Sequence, residues 1–185
     1  MTNKALSHFK ESIHHTLKAK EVSGQFCVSE QEYTSIIKNI YFNKGNRNFL
    51  IIRQDANCMA IKNLFEDKKI LDSCDFIVLL CKKKLHIFFC EIKSSMSKEN
   101  CQKAFKQMRS SKIFLEYLYQ NYKEHFNSDF EMSVEEGEYV YIYPASNSQK
   151  TPTYAKDDAL KQLKYKKVAV ANGDVNADIY NFFNL

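Results

Sequence analysis

The sequence predicts an α/β domain with a central mixed β-sheet flanked by helices, in the order helix, strand, strand, strand, helix, strand. Three observations carry this. Cys74–Cys81 (CDFIVLLC) and Leu85–Lys93 (LHIFFCEIK) are apolar runs of strand length separated only by Lys82–Lys84, the pattern of a hairpin. Lys98–Lys123 follows with helical spacing, behind Ser94, Ser95 and Ser97, which can cap its first amides. Glu138–Tyr143 (EYVYIY) then returns to a β-rich apolar run.

The flanking elements are read in the same way. Leu6, Phe9, Ile13 and Leu17 recur at helical spacing and predict a first helix within residues 3–20. Ser29 followed by Glu32 has the form of a capping box and predicts a second helix through Ile36, Ile37 and Ile40. Residues 1–45 thus read as an N-terminal helical segment ahead of a core at about 46–145. Asn48–Gln54 (NFLIIRQ) suits a short buried strand, with Cys58–Leu64 as its expected hairpin partner. Pro144 and the Ser-Asn-Ser at 146–148 mark the exit from EYVYIY. Asp157–Leu163 is expected as a short helix and Lys167–Ala171 as a strand, with Asn172-Gly173 as a turn. The closing DIYNFFNL is apolar enough to dock on the body.

Composition bounds the function classes. A chain of 185 residues, 44% hydrophobic and 26% charged, fits one ordinary globular domain, here 1–185. Four glycines and two prolines argue against long flexible linkers. The six cysteines form no CxxC pair, which removes the zinc-ribbon and thioredoxin-type readings. The opening residues contain no apolar run of signal-peptide length, and no stretch approaches the ~20 apolar residues of a membrane span. The expectation is a reduced, cytoplasmic protein with no membrane partner. No Gly-rich phosphate loop is present, so a nucleotide cofactor site is unsupported.

The charge is unevenly placed. Between Lys82 and Lys112 stand nine basic and two acidic residues, while the rest of the chain holds 18 basic and 20 acidic. The whole positive surplus of +5 therefore falls in one short window. Such a concentration attracts a polyanion such as nucleic acid.

That window also holds a constellation with chemical meaning. In an antiparallel hairpin the start of one strand lies beside the end of the next, so Asp75 should approach Glu91. Glu91 and Lys93 are two apart on a strand and project from one face. Hard divalent cations such as Mg²⁺ or Mn²⁺ take carboxylate and carbonyl oxygens. Asp75 and Glu91 would supply one each, and the carbonyl of Ile92 a third. Lys93 would orient or deprotonate the attacking water and stabilise charge on phosphorus. On the following helix, Cys101, Ala104, Phe105 and Met108 share one face and should pack on the sheet. Lys98, Gln102, Lys103, Lys106 and Arg109 are left to meet phosphates.

The stretch CDFIVLL…LHIFFCEIKSS…KAFKQM resembles the core of the PD-(D/E)XK nuclease superfamily, over about residues 70–110. The resemblance implies a restriction-endonuclease-like core (αβββαβ) that hydrolyses phosphodiester bonds. Asp75 matches the acid of its second core strand, Glu91 and Lys93 match the E-x-K of its third, and Cys74 stands where the motif's name has proline. A glutamine on the next helix often supports such sites, and Gln107 is the better match than Gln102. Many members add an upstream acid, for which Glu30, Glu32 and Glu66 are the candidates here. The expected function is a Mg²⁺-dependent nuclease acting on DNA in preference to RNA, in a defence or mobile-element setting, as a homodimer or with a partner subunit. The alternative is a catalytically inactive nucleic-acid-binding or protein-interaction module on the same fold.

Overall fold

The computed structural model describes residues 3–30, 32–43, 45, 48–54, 72–145 and 157–185. It is an α/β structure with two mixed sheets. The larger runs β4-β5-β6-β7-β8, where β4 is Phe49–Ile52, β5 Phe76–Cys81, β6 Leu85–Ile92, β7 Glu138–Pro144 and β8 Leu163–Val168. Its first three strands are antiparallel and its last three parallel. The 28-residue helix Lys98–His125, α2 after the N-terminal α1 (Asn3–Ser12), makes the crossover between the parallel neighbours β6 and β7.

Alternation along the central strands divides the core in two. Ile77, Leu79, Phe89, Tyr139 and Tyr141 face Leu6 and Phe9 of α1 and Ala104, Met108 and Leu115 of α2. Phe76, Val78, Leu80, Phe88, Cys90, Val140 and Ile142 face the second sheet. Burial on both faces explains why β5, β6 and β7 read as continuous apolar runs rather than alternating ones.

The second sheet departs from expectation. It runs β1-β2-β3-β9, with β1 Lys20–Val22, β2 Gln25–Ser29, β3 Asn39–Asn43 and β9 Asp174–Asp178. Three of its strands lie where an N-terminal helical segment over 1–45 was expected. Among the described residues, only α1 and a 3-10 turn at His15–Leu17 are helical there. Among the described residues no helix follows Ser29, which ends β2 opposite Asn39. Val28, Ile40 and Phe42 are buried at strand spacing against the central sheet, and this period-2 pattern prevails over the helical spacing of Ile36, Ile37 and Ile40. Glu30 accepts a hydrogen bond from the Glu32 amide at 2.9 Å, which makes a turn instead of a cap.

Other boundaries shift less. The expected strand at Asn48–Gln54 is β4, and its partner is β5; the expected partner Cys58–Leu64 lies outside the described residues. The short helix within Asp157–Leu163 is a 3-10 turn at Leu160–Gln162, and the strand expected at Lys167–Ala171 begins earlier, at Leu163. Asn172-Gly173 turns with both φ positive, +54° and +89°, and leads into β9. The C-terminal residues dock as expected: α3 (Ile179–Phe182) buries Ile179, Tyr180 and Phe182 in the second core. Among the described residues, no helix is long and apolar enough to cross a membrane.

Candidate active site

The β5/β6 register pairs Phe76 with Cys90, which brings Asp75 opposite Glu91 one step further out. The two residues clasp each other's strands. The Asp75 amide donates to Glu91 Oε2 at 3.1 Å, and the Ile92 amide donates to Asp75 Oδ2 at 2.6 Å. Lys93 Nζ donates to Glu91 Oε1 at 2.5 Å. Glu91 is 1% exposed and the Lys93 side chain 12%. The hairpin thus gathers its acid, acid and amine at one end, as the spacing predicts.

The electrostatics follow from burial. Loss of solvent and then the Glu91 charge raise the Asp75 pKa well above the carboxylate range, Glu30 adds to the rise, and the Ile92 amide and Lys93 oppose it. Burial also pushes Glu91 up to about 7 against the pull of Lys93. For Lys93, burial acts to lower the pKa, but Glu91, Asp75 and Glu30 outweigh it and the ammonium is held more firmly. Three carboxylates act on this spot against one ammonium. A buried carboxylate is costly unless a cation or hydrogen bonds compensate it, so the donor set fits a hard divalent ion. Asp75 and Glu91 would hold it, with the Ile92 carbonyl as the expected third oxygen. Among the described residues, no group of three or more His, Cys, Asp and Glu is arranged to bind a metal; Asp75 and Glu91 are the two carboxylates that the hairpin brings together.

No family model matches the chain, and no curated protein or solved structure does either.

Of the two described candidates for the upstream acid, Glu30 and Glu32, Glu30 is the one whose charge acts on Asp75, Glu91 and Lys93. It follows directly on β2, not on a helix. Glu32 is tied to it through its amide, and Glu66 lies outside the described residues. Gln107 comes down from α2 onto the start of β5, where its Nε2 donates to the Ser73 carbonyl at 3.3 Å. Its Oε1 is buried with no hydrogen-bond partner among the described residues.

The supporting polar contacts escaped sequence reasoning. Fully buried Ser111 accepts from the Cys74 amide and donates to Gln54 Oε1, both at 2.9 Å, which pins α2 to the residue before Asp75. Tyr141 donates its hydroxyl to the Ser95 carbonyl at 2.6 Å, and Ser94 Oγ accepts from the Ile36 amide at 3.2 Å. A serine inside an apolar helical stripe is the one signal that could have exposed Ser111. Ser97, by contrast, caps α2 as expected from the sequence, accepting from the Asn100 amide.

The faces of α2 fall as predicted. Cys101, Ala104, Phe105 and Met108 are buried, and Lys98, Gln102, Lys103, Lys106 and Arg109 are exposed. The basic window is nevertheless split. Lys82–Lys84 occupies the β5–β6 turn, at the far end of the hairpin from Asp75 and Glu91, roughly 20 Å away by strand rise. Those lysines do not surround the site.

Proposed function

We propose that this chain is a divalent-metal-dependent nuclease that hydrolyses phosphodiester bonds in DNA, with RNA the lesser substrate. The observation that carries the reading is the convergence of Asp75, Glu91 and Lys93 at one end of one hairpin, beside a helix with an exposed basic face. When bound, Mg²⁺ or Mn²⁺ supplies Lewis acidity at the phosphate and lowers the pKa of water. The chain's own groups do the rest. Asp75 and Glu91 present hard oxygens, Lys93 offers an ammonium to charge developing on the phosphoryl oxygens, and the basic face of α2 holds flanking phosphates. Sequence selectivity, on this reading, comes from a second copy or a partner subunit.

A second reading draws on one specific observation. Both Glu91 oxygens are already engaged, one by Lys93 and one by the Asp75 amide, a closed arrangement suited to a nucleic-acid-binding module without catalysis. Labelled DNA and RNA incubated with Mg²⁺ or Mn²⁺ separate the two. Native protein is expected to cleave, chelation to stop it, and Asp75→Ala and Lys93→Ala each to lower the rate by at least about 100-fold. Cleavage that survives both substitutions rejects the site, and salt-sensitive binding without cleavage selects the inactive module.

A further inference from the structure

The β2–β3 connection, residues 30–38, leaves the second sheet and reaches the end of the central sheet where Asp75, Glu91 and Lys93 meet. It is tied there by the Ile36 amide, which is bonded to Ser94, the residue after Lys93, and the Glu30 charge acts on all three groups. The connection turns two large apolar side chains to solvent, Tyr33 at 95% and Ile36 at 52% exposure. An isolated exposed apolar residue needs no explanation. Tyr33 is different because it is held. Lys38 Nζ donates to the Tyr33 carbonyl at 2.5 Å and lies 5.4 Å from the centre of its ring, so a cation is packed against an aromatic ring that is otherwise open.

We infer that Tyr33, steadied by Lys38, is a stacking platform for an unpaired nucleobase of a single strand entering the site. This deepens the nuclease reading and rests on it for the identity of the ligand. The chemistry is selective in kind. A free ring face recognises the flat face of a base, and base–aromatic stacking tolerates any sequence but requires the base to be out of its duplex. The Lys38 ammonium adds positive charge beside the ring for the adjoining phosphate. The exposed Lys98 and Gln102 open α2 shortly after Lys93 in the chain, so the connection offers an aromatic and a cation, and α2 a basic face. A duplex reader needs a helix or ribbon shaped for a groove, and the described residues within 30–38 form neither.

The test measures binding without divalent ions, so that cleavage plays no part. A short single-stranded DNA carrying one fluorescent adenine analogue, and the same sequence as a blunt duplex, are titrated into native protein, Tyr33→Ala, Tyr33→Phe and Lys38→Gln. Tyr33→Ala should weaken single-strand binding by roughly 5- to 100-fold and abolish quenching of the analogue, with duplex binding changed less than about twofold. Tyr33→Phe should behave as native, since stacking uses the ring and not the hydroxyl. Unchanged thermal unfolding of Tyr33→Ala checks that the fold is intact. Equal losses for single strand and duplex, or none for either, overturn the platform, as does tight binding to neither. Tyr33-dependent binding without cleavage sinks the nuclease reading alone, and Asp75-dependent cleavage indifferent to Tyr33 sinks the platform alone.

Discussion

Glu91 is a carboxylate buried inside the core. It lies on a strand whose neighbours Phe88, Phe89, Cys90 and Ile92 are all buried, and its charge is compensated by Lys93 and the Asp75 amide. Removing Lys93 leaves a buried carboxylate without its cation, an act that costs on the order of 3 kcal/mol where the charge must stay. Glu91 has an alternative, since burial already brings its pKa up to about 7. The sign follows from proton counts. Between the ordinary glutamate range and the folded value, the folded state keeps a proton that the unfolded state has released, so stability falls as pH rises across that window. Below the ordinary range both states are protonated and the penalty vanishes. Lys93→Met should therefore match native stability near pH 4 and fall progressively behind it toward pH 8 in urea unfolding, and Glu91→Gln/Lys93→Met should recover most of the gap. A deficit independent of pH would mean that Glu91 carries no such strain.

Strands buried on both faces announce themselves, and this decides which elements were legible. β5, β6 and β7 were readable as uninterrupted apolar runs, and Asp75, Glu91 and Lys93 stood out because they end two of those runs. The second sheet offered no such signal. Every residue of β1 is exposed, β9 reads DVNAD with Val175 its only buried position, and two of the sheet's three pairings join strands close in sequence. Ser23-Gly24 closes the β1–β2 hairpin with both φ positive, +51° and +79°, the backbone of a two-residue hairpin turn. The parallel pairing of β3 with β9 joins positions more than 130 residues apart and leaves no local trace. Its geometry rests on Gly173, whose carbonyl accepts from the Lys38 amide at 2.6 Å. A Cβ there would meet Lys38 Cγ at 3.0 Å at a φ of +89°. Gly173→Ala should cost about 1–2 kcal/mol from the left-handed backbone alone, read as a lower urea midpoint; an unchanged midpoint would show that the turn can relax without loosening β9.

Across the whole molecule, folding sorts a basic stretch that is continuous in sequence into two separate places. Lys98, Lys103, Lys106 and Arg109 line the exposed face of α2, whose start adjoins the candidate site, and Lys82–Lys84 caps the opposite end of the hairpin. Net charge alone predicts that all seven attract nucleic acid equally. The fold predicts otherwise, because only cations that touch phosphates release counterions, each contributing about 0.7 to 0.9 to the slope of log affinity against log salt. Lys103→Ala/Lys106→Ala should make that slope shallower by about 1.4 for a single strand and about 1.8 for a duplex. Replacing Lys82, Lys83 and Lys84 together removes more charge, yet should lower affinity only modestly at low salt and leave the slope unchanged. Anisotropy titrations of a labelled oligonucleotide over a series of salt concentrations measure both. If the turn variant flattens the slope as much as the helix variant, the bound strand does not follow α2, and the basic face has no more claim to the substrate than any other cluster of surface lysines.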